Sequence, residues 1–243
     1  MPWSDSDTLW AELEPVLFPP SRVAAAGGEV DALVKLAGLA PGARVLDLPC
    51  GVGRHTIALS ERGFRVTGAD RTPLYVRRAR ERAPELDWRV ADMRDFTTDE
   101  PYDAVLNLWT AFGYFDTPGD DLRVLGRFHA ALRPGGALVM DLNGKETLAR
   151  TFRPRDWYPV EGGGWLLEDR KVRDDWTWVD SAWTYIRPDG RVIEHGISVR
   201  LYAASELRAL LHEAGFAEVK CFGALDGVPY DENARRLVVI ARR

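Results

Sequence analysis

One stretch, Val45 to Thr56, constrains the fold of this chain more than any other. The apolar run Val45-Leu46-Asp47-Leu48 passes through Pro49-Cys50-Gly51-Val52-Gly53 into a helix-like segment, Ile57 to Arg62. Strand, glycine turn and helix in succession are the grammar of a nucleotide site, because glycines let backbone N–H groups approach a ligand closely. The flanking sequence keeps the same rhythm. Arg44 to Leu48 reads as a first strand, Gly53 to Arg62 as a crossover helix, Arg65 to Ala69 as a second strand and Pro73 to Arg82 as a second helix. Leu86 to Val90 and Tyr102 to Leu108 are strands three and four; the helix Asp120 to Leu132 then leads to strand five, Ala137 to Met140. Alternating β and α elements with short loops imply a parallel sheet covered on both faces.

Two helices are predicted ahead of this unit. Asp5 to Leu17 carries Leu9, Leu13 and Val16 at helical spacing, with Ser4 or Asp5 as cap and with Pro15 and Pro19-Pro20 as stops. Gly28 to Leu39 carries Val30, Leu33, Val34 and Ala37. Beyond strand five the rhythm changes. Three strand-like runs, Trp165 to Val172, Thr177 to Ile186 and Arg191 to Tyr202, are separated by turns at Arg173-Asp174-Asp175 and Pro188-Asp189-Gly190, the second a strong hairpin signal. Trp157, Trp165, Trp176, Trp178 and Trp183 cluster here, as expected of an antiparallel cap or substrate wall. A helix, Ser205 to Ala214, and two strands, Ala217 to Phe222 and Leu237 to Ala241, complete the chain. The predicted division is 1–150 for the N-terminal helices and Rossmann-like core, 151–202 for the insertion and 203–243 for the completion of the core.

Composition narrows the partners. A formal charge of −5 over 243 residues leaves no global basic field for nucleic acid or anionic lipid. The two cysteines, Cys50 and Cys221, show no metal spacing and suit a reducing cytoplasm. The N-terminal residues show no basic-then-apolar signal pattern, and no run approaches the roughly 18 apolar residues of a spanning helix. The expectation is a cytoplasmic protein with no metal, no membrane contact and no nucleic-acid partner.

The position of the acids decides which nucleotide. Gly51 and Gly53 match two glycines of the dinucleotide fingerprint, but Thr56 stands at the third, and Asp47 lies where a pyrophosphate would. A carboxylate there repels a dianion and favours an amine and a sulfonium. Asp70 ends strand two, where it can accept ribose hydroxyls, and Asp92 follows strand three, where it can take an adenine amino group flanked by Met93 and Phe96. Residues from about Ala43 to Asp141 thus resemble a class I S-adenosylmethionine-dependent methyltransferase, through Val45–Gly53, Gly68-Ala69-Asp70, Ala91-Asp92-Met93 and Leu132-Arg133-Pro134-Gly135-Gly136. The resemblance implies an α/β fold: a doubly wound, seven-stranded, mostly parallel sheet in the order 3-2-1-4-5-7-6, strand seven antiparallel, here with a small antiparallel β insertion. It assigns Asp47, Gly51 and Gly53 to the methionine end, Asp70 to the ribose and Asp92 to the adenine, with Arg71, Met93 and Asn107 completing the cofactor set. Pro49 departs from the family's usual glycine, and having no N–H it is given no ligand contact.

The acceptor side is less defined. Asn107-Leu108-Trp109-Thr110 lacks the Asn/Asp-Pro-Pro-aromatic box of amino-methyltransferases acting on DNA adenine or glutamine. The aromatic loop Ala111 to Asp116 and the insertion are similar to those of small-molecule N-methyltransferases. Tyr114 is the best-placed catalytic candidate, against a plain packing role. Arg200 is a second, able to hold a carboxylate or phosphate if its strand face lines the pocket. His195 is a third, weighed against a packed structural histidine, and Asp116 a base or a turn residue. His55 is expected to pack or hydrogen-bond near the ligand, and Asn143 either to reach the pocket or to form a turn. The expected function is methyl transfer to a small amine, or a hydroxyl; a non-catalytic S-adenosylmethionine-binding protein and an NAD-dependent dehydrogenase are the alternatives. A homodimer through the insertion is also open.

Overall fold

The computed structural model describes residues 2–243. Its larger sheet has seven strands: β1 (Arg44–Asp47), β2 (Arg65–Asp70), β3 (Asp87–Val90), β4 (Tyr102–Asn107), β5 (Leu132–Leu142), β10 (Glu218–Phe222) and β11 (Leu237–Arg242). They lie in the order β10-β11-β5-β4-β1-β2-β3, with β11 antiparallel to both of its neighbours and the remaining pairings parallel. This is the class I methyltransferase topology. Side-chain alternation along the strands feeds two cores. Leu46, Val105 and Val239 pack with Leu125 and Phe128 of α5 (Pro118–Ala131) and Leu207 of α7 (Ala204–Glu213). Val45, Val66 and Val139 face the other way, onto Val30 and Leu33 of α2 (Pro20–Ala37) and Leu59 of α3 (Arg54–Ser60). Helix α4 (Pro73–Arg82) packs Val76 and Ala79 onto Trp88.

A second sheet holds β6 (Arg155–Pro159), β7 (Trp165–Arg173), β8 (Trp178–Ile186) and β9 (Val192–Arg200), antiparallel throughout. The sequence predicted three of these strands. It missed β6, which is short, mostly exposed and ends in a proline, so it shows no apolar alternation. It also missed α6 (Lys145–Thr151), a short helix with one buried residue, Thr147.

The N-terminal boundaries shift too. A single 3-10 turn, Trp3–Asp5, precedes α1 (Asp7–Leu17), and the cap is Ser6, whose hydroxyl accepts from the Leu9 N–H at 3.2 Å. Neither Ser4 nor Asp5 caps it. Pro15 does not stop α1 but sits inside its last turn, at the cost of the one backbone hydrogen bond its missing N–H would have made to the Ala11 carbonyl. Helix α2 begins at Pro20 rather than at Gly28, because a proline at the first helical position is preorganised for it. Gly27, in its interior, lies under the Arg62 guanidinium, which donates to its carbonyl at 2.9 Å. Leu9, Leu13 and Val16 of α1 pack on Leu166, Tyr185 and Ile193 of the second sheet, so α1 joins the insertion to the rest.

Candidate active site

A cavity of about 570 Å³ opens at the C-terminal ends of β1 to β5, where ligands bind in open parallel sheets. The N-terminal segment and the second sheet wall it on the remaining sides.

Asp70 is the hub of one half. Its Oδ2 accepts the Gly51 N–H and its Oδ1 the Thr72 N–H, both at 2.8 Å, which leaves lone pairs free toward the cavity that it lines. Burial pushes its carboxyl up to about 6, against the pull of those two N–H groups. Asp92 also lines the cavity, and Arg94 holds both its oxygens, through the backbone N–H at 2.8 Å and Nη2 at 2.6 Å. Partial burial opposes ionisation, but the Arg94 contacts outweigh it and hold Asp92 below the usual carboxylate range. Met93 is on the wall as expected. Phe96 is not: it is buried in the core against Tyr102, and Phe115 takes the wall position instead.

The two glycines do different work. Gly51 lines the cavity with φ +54°, and a Cβ there would meet the Phe18 ring at 2.6 Å. Gly53, φ +79°, starts α3 away from the wall, and its Cβ would meet Trp88 at 2.4 Å. Asp47 is buried behind the loop and accepts the Thr56 hydroxyl at 2.6 Å. Burial pushes its carboxyl up. Asn107 too lies off the wall; its amide donates to Leu48 O at 3.0 Å and Ala111 O at 3.2 Å, tying the loops after β1 and β4 together. Arg71 lines the cavity and donates to the Ser4 and Asp5 carbonyls, at 2.8 Å each, which fastens the N-terminal turn across the opening.

Of the catalytic candidates, Tyr114 reaches the wall, packed edge-on against Trp3 at 4.8 Å between ring centroids. Burial pushes its phenol up, so at neutral pH it keeps its proton and can give a hydrogen bond but does not act as a base. Arg200 and His195 do not line the cavity. Strand alternation turns Ile197, Val199 and Leu201 inward and Arg200 to the far face. There its guanidinium stacks on Trp178 at 4.2 Å, donates to Asp116 O at 3.1 Å and pairs with Asp121 at 3.4 Å. Asp116 therefore serves through its backbone. His195 shares the inward parity but lies past the cavity's edge beneath α1, where its Nε2 meets Glu12 at 2.9 Å.

His55 and Asn143 do line the cavity, beside residues the sequence left unremarked. Glu29 binds His55 at 2.7 Å and Arg54 at 2.5 Å; although burial opposes it, these partners hold the carboxyl at about 2. Trp109 and Thr110 both adopt left-handed φ, 61° and 60°, which costs of order 1–3 kcal/mol per residue and places the Trp109 ring on the wall. The guanidinium carbons of Arg22, Arg54 and Arg236 lie 4.4, 4.8 and 5.7 Å from that ring. No periodicity announces this group; the motif Asn107–Thr110 was legible only for the box it lacks. Among the described residues no cluster of metal-ligating side chains occurs, and no helix is long and apolar enough to cross a membrane.

Comparison with known proteins agrees with the geometry. Residues 45–136 match the family model described as a methyltransferase domain. The chain is 26% identical over 207 residues to a glycine/sarcosine N-methyltransferase of Aphanothece halophytica, covering 82% of this chain and 76% of that one. Among solved structures it is similar to an S-adenosylmethionine-dependent methyltransferase from Clostridium acetobutylicum, with TM-score 0.80, 13% identity and 96% of each chain covered. A sugar N-methyltransferase from Streptoalloteichus gives TM-score 0.74 at 23% identity, covering 93% of this chain and 91% of that one. The fold is that of the class I methyltransferases. The chain carries a methyltransferase domain over residues 45–136 and is an S-adenosylmethionine-dependent enzyme.

Proposed function

We propose that this enzyme methylates the amine of a small molecule. The observation that carries the proposal is that one continuous cavity holds both halves of the site: Asp70 and Asp92 at the strand ends, and beyond Tyr114 and Trp109 a chamber walled by the second sheet. S-adenosylmethionine, when bound, supplies a methyl group on a sulfonium. The chain's residues fit its adenosyl part. Asp70 has acceptor capacity for the ribose hydroxyls, Asp92 is fixed in orientation by Arg94, and Met93 and Phe115 offer flanks for the base. Gly51 leaves room for the methionine end; Asp47, Gly53 and Asn107 act from behind by shaping the loops, and Arg71 by closing the N-terminal turn.

In-line displacement mostly needs the nucleophile held in position, which can supply roughly 7–11 kcal/mol. Tyr114 suits that task as a hydrogen-bond donor or packing surface rather than as a base. The amine preference is supported by the relatives named for glycine/sarcosine and sugar N-methylation. The same proposal includes a three-part chain (1–150, 151–202, 203–243), a cytoplasmic setting and an acceptor that is not nucleic acid; a homodimer through the second sheet belongs with it. Incubation with methyl-labelled S-adenosylmethionine and a panel of small amines and alcohols tests it. Label should enter an amine; transfer to hydroxyls alone, or no transfer from any extract fraction, overturns it.

A further inference from the structure

The cavity is divided by charge. Its acids Asp70 and Asp92 stand at the β2 and β3 end of the sheet. Across the glycine loop the wall turns cationic. Arg22 and Arg54 come from α2 and α3, Arg150 from α6, Arg170 from β7, and Arg235 and Arg236 from the segment entering β11, with Glu168 the one carboxylate lining this half among the described residues. Most of these cations are already used. Arg236 pairs with Asp141 at 2.7 Å, Arg235 with Asp226 at 2.8 Å, Arg170 with Glu168, and Arg150 holds the Glu232 and Ala234 carbonyls.

Two are not. Arg54 is only 5% exposed, yet its Nη2 has no hydrogen-bond partner, although Nη1 reaches Glu29 and the Arg22 carbonyl and the group lies over the ring of Trp109, which lines the cavity. A buried guanidinium N–H without a partner costs of order 1–3 kcal/mol or more, so an open one beside a cavity points to a group that the protein itself does not supply. Arg22, on the same ring, donates to the Leu17 carbonyl and has no carboxylate within ion-pair distance among the described residues.

We propose that Arg54 and Arg22, flanking Trp109, seat an anionic group carried by the methyl acceptor, a carboxylate or a phosphate. The methionine end of the cofactor brings its own amine with its carboxylate and calls for one cation. The cationic wall continues past the glycine loop to α6 and the second sheet, which is the acceptor's side. A planar guanidinium with an open N–H suits either oxyanion, and a charge-assisted bond there fixes the acceptor's orientation as well as its affinity. The seat presupposes the methyl-transfer function proposed for this cavity.

The test uses the full chain saturated with S-adenosylhomocysteine, titrated calorimetrically with inorganic phosphate and with acetate at constant ionic strength. Wild type should bind one of them saturably. Arg54→Lys, which keeps the charge beside Glu29, and Arg22→Gln should each weaken that anion at least fivefold while S-adenosylhomocysteine affinity stays within threefold. Preference for phosphate assigns a phosphorylated acceptor, and preference for acetate a carboxylated one. No saturable anion binding, or binding that neither substitution changes, overturns the seat. So does a tenfold loss of S-adenosylhomocysteine in Arg54→Lys with 5′-methylthioadenosine unaffected, because the guanidinium would then belong to the cofactor's carboxylate. If wild type binds neither nucleoside, the methyl-transfer function falls, and the same titration without nucleoside still decides the seat.

Discussion

The Gly51 N–H donates to Asp70 Oδ2 at 2.8 Å, so the glycine loop after β1 and the acid that ends β2 are one structural unit. The carboxylate shapes the loop through one set of lone pairs and faces the cavity with the other. Substitutions at Asp70 therefore report on the loop and on the ligand together.

Asp70→Ala removes charge-assisted hydrogen bonds worth about 1.5–3 kcal/mol each. S-adenosylmethionine affinity should fall by one to two decades in calorimetry. Unchanged affinity would remove Asp70 from the ribose.

The Asp70 carboxyl, raised to about 6 by burial, makes binding pH-dependent. Ribose hydroxyls donate to the ionised form, so S-adenosylhomocysteine affinity should climb between pH 5 and 7 and then level, a change of roughly tenfold per unit below the midpoint. Stability runs the other way. A carboxyl raised in the folded state binds more protons there than in the unfolded chain, so it subtracts stability as pH rises from about 4 to 6. In Asp70→Asn both slopes from this group should vanish; slopes that persist would assign the titration elsewhere.

Gly53→Ala should cost more stability than Gly51→Ala. At Gly53 a Cβ meets Trp88, which is 6% exposed and locked against α4, whereas at Gly51 it meets the Phe18 ring at the cavity's edge. Denaturant melts should show a loss of roughly 1–3 kcal/mol or more for Gly53→Ala. Adding Phe18→Ala should recover part of the loss in Gly51→Ala and none in Gly53→Ala; equal rescue would refute the distinction.

Arg200→Gln tests the placement of that residue on the face away from the cavity. Arg200 joins β9 to α5 through Asp121, which is fully buried and carries a carboxyl pushed up to about 6 by burial. Breaking a buried pair costs about 3–5 kcal/mol. The melting temperature should drop markedly while S-adenosylhomocysteine affinity stays within threefold; a variant of native stability that has lost only acceptor affinity would return Arg200 to the site.

The sequence alone determined the sheet and the strand ends that open onto the cavity. Period-two burial, glycine turns and acids at strand ends are local signals, because each strand's pattern is set by its own two faces and each acid ends its strand or follows it within two residues. Asp70, Asp92, Met93 and Gly51 were legible for that reason. Only the tertiary structure decided which residues wall the rest of the cavity. It turned Arg200 outward by strand parity, put His195 under α1, kept Asp47 and Asn107 behind the loops, and gave Phe115 the place expected of Phe96. It also gathered Glu29, Arg22, Arg54 and Arg236 around Trp109 from α2, α3 and the segment entering β11. Charges that meet from such distant stretches leave no spacing to read. What brings them together is the stacking of whole layers, and that is fixed by packing rather than by any local run of residues.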